Sequence, residues 1–211
     1  MQTAPALLAI GVAVALGAMS PGPSFLMVAR TAIARSRLQG VAAALGMGVG
    51  GVLFSALAML GVHLVFGAMP WIYVAVKLMG GAYLIFLGYV IWRDATTPLH
   101  VASDTAMHAR GTLLRSFSWG FLTQISNPKT AVVYASIFVS LLPPDVPVST
   151  MVAIPLLVFV IETAWYSIVA IVFSTARPRA AYLGWKRCID RGAGAVMVLL
   201  GTKLIASSQE V

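Results

Sequence analysis

The chain has a single cysteine, Cys188. It therefore has no internal disulfide, no Cys-based metal cluster and no pair of thiols to exchange one. Histidine is nearly as scarce: His63, His100 and His108 show no ligand spacing, and no metal or other cofactor is expected. Charged residues make up 9% of the chain against 60% hydrophobic, a balance that would leave a soluble domain with large exposed apolar patches. No nucleotide-hydrolysing motif occurs. Residues 46–51, G-M-G-V-G-G, formally contain G-x-G-x-x-G. No strand precedes them and no acidic residue follows about 20 positions on, so the dinucleotide reading fails its own context. Gly46 and Gly50, like Gly80, Gly81 and Gly88 further on, fit small-residue faces for close helix packing. The opening M-Q-T-A-P-A-L-L-A-I lacks the basic segment of a signal peptide, so a retained first helix is expected.

What the chain does have is six hydrophobic windows of the length that crosses a bilayer, about 20 residues each. They cover residues 5–28, 40–62, 70–92, 117–142, 150–174 and 189–206. Lys77, Lys129, Glu162, Asp190, Arg191 and Lys203 bring formal charge into them, and Lys77 is expected to snorkel to the outer interface. The net charge of +8 is spread as a topology signal, not as a nucleic-acid patch. Arg30, Arg35 and Arg37 follow the first window. Arg93, Arg110 and Arg115 follow the third, and Arg177, Arg179, Lys186, Arg187 and Arg191 the fifth. Residues 1–4, 63–69 and 143–149 contain no Lys or Arg. The positive-inside rule then predicts three cytoplasmic basic loops and two outward-facing termini. Trp71, Trp92, Trp119 and Trp185 fall near window ends, as interfacial anchors do.

The chain also repeats itself. M-S-P-G-P-S-F-L-M-V-A around Ser20 parallels I-S-N-P-K-T-A-V-V-Y-A around Ser126, and each opens a group of three windows. G-A-Y-L-I-F-L-G from Gly81 and G-A-V-M-V-L-L-G from Gly194 share four positions in eight, in the third and sixth windows. Three windows per half force the second half to enter the membrane in the opposite sense. The expected fold is an all-α membrane protein of six transmembrane helices as two inverted three-helix repeats. The repeats span about 1–92 and 116–208, joined by a polar cytoplasmic linker of about 93–115.

Proline has no N–H for the carbonyl four residues earlier, so Pro21, Pro23 and Pro128 are expected to free the carbonyls of Gly17, Met19 and Gln124. Broken backbone is tolerated at membrane depth only inside protein or beside a watery cavity. A half-helix that starts after a break offers N–H groups to a carboxylate, and freed carbonyls suit an ammonium group. Ser20, Pro21, Gly22, Pro23, Asn127 and Pro128 are therefore candidate substrate-binding residues for a zwitterion. The other reading is that these prolines only kink packed helices. Lys129 directly follows the second break and would reinforce the carboxylate site. Glu162, in mid-window, costs about 2.5–3.5 kcal/mol on insertion scales. It is read as a proton carrier, as a partner for the substrate ammonium, or as a fixed partner of Lys129. Trp165 and Tyr166 lie three and four residues after Glu162, near its helical face, and complete the candidates.

These segments resemble the LysE/RhtB family of bacterial amino-acid exporters. The resemblance is carried by S-P-G-P at Ser20 to Pro23, A-L-G-M-G-V-G-G from Ala44, G-G-A-Y-L-I-F-L-G from Gly80, G-F-L-T-Q-I-S-N-P-K from Gly120 and I-D-R-G-A-G-A from Ile189. It implies proton-coupled efflux of an amino acid or close derivative across an inner (plasma) membrane, with Asn127, Pro128 and Lys129 in the family's central motif and Glu162 at an often acidic position. Exporters of lysine or arginine in that family tend to carry further intramembrane acids. Residues 44–60 and 130–140 hold none here, which implies a neutral substrate. Partners are then a small amino acid, protons and lipid, with Gly-rich faces available for a homodimer. Export of another metabolite or cation, and a scaffold without transport, are the competing readings.

Overall fold

The computed structural model describes residues 3–68, 70–97, 112–142 and 146–209. The side chains of His63 and Trp71 lie outside that description, as do His100, His108 and most of the 93–115 linker. The described residues form eight α-helices and no strand: α1 Thr3–Met19, α2 Pro23–Ala34, α3 Arg37–Ala68, α4 Pro70–Asp94, α5 Leu113–Ile125, α6 Pro128–Leu141, α7 Val148–Phe173 and α8 Ala176–Ala206. A 3-10 turn, Ser207–Gln209, follows.

The first and fourth expected windows are each two helices. Gly22 and Asn127 directly precede prolines, which disfavours helical backbone, and both adopt extended conformations (φ −153°, ψ −168° and φ −84°, ψ 106°). Pro23 and Pro128 then begin α2 and α6, where the missing N–H costs nothing. The first break bends the chain by 57°. By contrast, Pro155 sits inside α7 without ending it.

Of the three expected freed carbonyls, that of Gln124 is not free. The Gln124 carbonyl accepts the Asn127 N–H at 3.2 Å, because the end of α5 tightens into a shorter turn. The basic segment after the fifth window is not a loop either: Arg177, Lys186, Arg187 and Arg191 lie on α8, which starts well before residue 189. Its Ala, Arg, Lys and Leu are good helix formers, and Pro178 falls in the first turn, where its missing N–H has no intrahelical partner to lose. Lys77 does not snorkel. It is 7% exposed and donates to the Ser207 carbonyl at 2.9 Å, so a cation caps the carbonyl end of α8.

Packing runs through glycines. A Cβ on Gly88 would stand 2.6 Å from the Gly194 carbonyl oxygen, and one on Gly194 2.7 Å from that of Gly88. Gly81 and Gly201 oppose each other in the same way, at 2.8 and 2.5 Å, so α4 and α8 run antiparallel at backbone contact. Gly40 against Ala170 and Gly51 against Val158 and Glu162 make α3 and α7 antiparallel as well. Gly46, Gly50 and Gly120 seat α3 on α5. The glycine faces considered for a homodimer are thus used inside one protomer.

Two apolar cores result. One joins Ile10, Val14, Leu84, Tyr134, Phe138, Val158 and Met197, and the other joins Phe25, Val28, Ala43, Met47, Tyr166 and Phe173. Large apolar side chains also point outward, at four-residue spacing along α7 as Val148, Val152, Leu156 and Val160, which is a lipid-facing stripe. Helices α3 (over Arg37–Gly61) and α7 are each long and apolar enough to cross a membrane, and the bent α1–α2 pair passes as a third. Trp92, Trp119 and Trp185 are surface-exposed.

Candidate functional site

Helix α7 carries Val158, Glu162 and Tyr166 on one face, and Glu162 falls where the two apolar cores meet. Glu162 is 2% exposed. It accepts three hydrogen bonds: Gln124 Nε2 donates to both carboxylate oxygens, at 2.6 and 2.8 Å, and the Tyr134 hydroxyl donates to Oε1 at 2.7 Å. Acceptance of all three fits an ionised carboxylate.

The bonds continue outward from Gln124 in one direction. Ser24 Oγ donates to Gln124 Oε1 at 2.7 Å. Asn127 Nδ2 donates to Ser24 Oγ at 2.9 Å, and Asn127 Oδ1 accepts the Lys129 backbone N–H at 3.1 Å, capping α6. Every donor in this relay points towards Glu162, so both helix breaks are tied to one carboxylate. Such aligned bonds reinforce one another at low dielectric.

At the first break, Lys129 Nζ donates to the Ser20 carbonyl at 3.0 Å. The protein's own ammonium thus occupies a carbonyl beside the first break, one that was not among the expected three. That ammonium lies 3.5 Å from where a Cβ on Gly22 would stand, over the amino end of α2. No side chain caps that end, whereas Asn127 caps α6. Glu162 and Lys129 bond to different partners and do not pair with each other.

Two cavities meet at this break. An inner one of about 20 Å³ is lined by Ser20, Gly22, Ser24, Asn127, Lys129, Tyr134, Glu162 and Tyr166, room for about one water. An outer one of about 320 Å³ lies between the first break, the end of α4 and the polar start of α8, and is lined by Ser20, Pro21, Gly22, Pro23 and Lys129 together with Asp190. Eight of the ten candidates therefore gather at the two cavities: Ser20, Pro21, Gly22, Pro23, Asn127, Lys129, Glu162 and Tyr166. Pro128 serves as the first residue of α6. Trp165 lines neither cavity and packs against the α2–α3–α7 core. The sequence reading missed Ser24 and Tyr134 and took Gln124 only for its backbone. Ser24 follows the S-P-G-P break directly and Gln124 stands in Q-I-S-N-P-K, so proximity to the breaks was the available signal.

The threonine efflux protein of Escherichia coli (strain K12) is 33% identical over 189 residues, covering 90% of this chain and 92% of that protein. An uncharacterized membrane protein of Haemophilus influenzae is 30% identical over 191 residues, 90% of each chain. The leucine efflux protein of Salmonella choleraesuis (strain SC-B67) is 24% identical over 181 residues, 85% of this chain and 83% of that one. No solved structure matches the chain. The pattern that defines the LysE type translocators matches residues 15–208. That stretch holds both breaks and all the candidate residues, and the chain accordingly belongs to the LysE type translocator family, as a membrane transporter and not an enzyme.

Proposed function

We propose that this chain exports neutral amino acids from the cytoplasm, driven by protons, across an inner membrane. The observation that carries the proposal is the relay that joins both helix breaks to Glu162. Protonation of Glu162 would leave a carboxylic acid that must itself donate, so the Tyr134 hydroxyl or the Gln124 amide must turn from donating to accepting or give way. A proton at one buried position thereby changes the bonding at Asn127 and, through Ser24, at the amino end of α2. The substrate carboxylate suits Lys129 Nζ and the uncapped N–H groups of α2. Relatives named for threonine and leucine efflux and the absence of acids from residues 44–60 and 130–140 support a neutral substrate.

Six spans follow if α1–α2 and α5–α6 each count as one crossing. Exchange of the halves carries the Gly81–Gly201 contact onto Gly194–Gly88, and the X-Pro break recurs in both halves, which supports inverted repeats about a pseudo-two-fold axis. The Arg and Lys distribution supports outward-facing termini. Cys188 is the only cysteine and is exposed, so an impermeant thiol reagent is expected to label it in everted vesicles and not in intact cells. The reverse pattern would overturn the orientation.

The deciding experiment is efflux from proteoliposomes under an imposed pH gradient, with radiolabelled neutral, basic and acidic amino acids and empty vesicles as control. A neutral amino acid should leave, and its flux should collapse with the gradient. If no amino acid moves in either direction, amino-acid export is abandoned; if flux ignores the gradient, proton coupling is.

A further inference from the structure

The motif I-D-R-G-A-G-A packs through Gly194, and its acid, Asp190, lines the 320 Å³ cavity. Asp190 is 3% exposed. Its Oδ2 accepts from Lys186 Nζ at 2.7 Å. That ammonium also donates to the Asp94 and Ala95 carbonyls, at 3.3 and 3.4 Å, so its three N–H groups are all in use. Asp190 Oδ1 and Ser20 Oγ, also 3% exposed, have no hydrogen-bond partner among the described residues. Buried polar atoms are nearly always satisfied, and the residues that carry these two line one cavity with Lys129, whose ammonium bonds to the Ser20 carbonyl.

We infer that this outer cavity is the loading site for the exported amino acid. Asp190 Oδ1 takes the ammonium, and Lys129 with the amino end of α2 takes the carboxylate. The side chain lies against Leu87, Val90 and Ile91. The size agrees: the inner cavity holds about one water, whereas about 320 Å³ falls within the ~300–1,000 Å³ of small-molecule sites. The placement agrees too, because the cavity opens between the end of α4 and the start of α8, next to two of the three basic segments expected in the cytoplasm. The cavity is lined by Lys129 and Lys186 and by Asp94 and Asp190; with Lys186 bound to Asp190 Oδ2, the charges balance, which suits a zwitterion without net charge.

The inference rests on the exporter reading, and one experiment separates them. Uptake of radiolabelled L-threonine and L-leucine is measured in everted vesicles, which load from the cytoplasmic face, and in right-side-out vesicles, for the wild type, Asp190→Asn and Val90→Phe. In Asp190→Asn the half-saturating concentration should rise about tenfold at the cytoplasmic face, with a maximal rate within about twofold of wild type and no change at the outer face. Val90→Phe fills the cavity while it leaves the Lys186–Asp190 pair intact, and should weaken loading at the same face. It keeps the question decidable if Asp190→Asn does not accumulate. Equal half-saturation in wild type and Val90→Phe, or equal shifts at both faces in either variant, overturns the loading site alone. A wild type that moves neither amino acid removes the exporter reading and this site with it.

Discussion

The two helix breaks start from the same local device, a residue before proline held out of the helical region, and end with opposite surroundings. At the second break, Asn127 caps α6 and passes its amide on to Ser24, so the protein's own groups satisfy the polar atoms. At the first, Gly22 has no side chain to cap α2, and Lys129 reaches over from the other break to the Ser20 carbonyl. One break is closed and wired to Glu162, and the other is open towards a cavity. The proposed export uses both properties, one break for coupling and the other for a ligand that replaces internal bonds.

The largest test of that contrast is Glu162→Gln. An amide of the same size preserves volume but cannot exchange a proton, so gradient-driven efflux is expected to fall to background while the protein still accumulates in the membrane. Undiminished flux would remove Glu162 from the mechanism. Next is Asn127→Ala at the closed break. It deletes a helix cap, about 1 kcal/mol, and leaves Ser24 Oγ without its donor, so a lower melting temperature and slower turnover should appear together. Loss of stability with unchanged turnover would reduce the relay to a structural brace. The smallest expected effect on stability comes from Gly22→Asn at the open break, because glycine is only a few tenths of a kcal/mol poorer than asparagine as a cap. The new side chain would compete for the N–H groups assigned to the substrate carboxylate, so the half-saturating concentration should rise with little change in melting. If it stays fixed, α2 does not bind the carboxylate.

Much of the helix content was legible in advance because lipid leaves a chain little choice, and a long apolar run must satisfy its backbone internally. The positions of Pro21, Pro23 and Pro128 also showed where the helices stop, although not that the Gln124 carbonyl is reused at the second break. Pro155 illustrates the limit. It lies inside α7, where its missing N–H removes one backbone hydrogen bond without ending the helix. The early start of α8 was hidden by its charge: an apolar window finds what lipid touches, not where a helix begins.

The residue order by itself determined the class of the protein, its break points, its recurring half-motifs and the family resemblance, since each depends on composition or on residues within a few positions of one another. Only the tertiary structure decided which polar groups share a bond. Gln124 joins Glu162 across 38 positions, and Ser24 joins Gln124 and Asn127 across 100 and 103. Lys77, which the sequence would have sent to the interface, ends on the carbonyl of Ser207. A buried donor takes whichever acceptor the packing brings within about 3 Å, and in this chain close helix contacts at glycines set much of that packing.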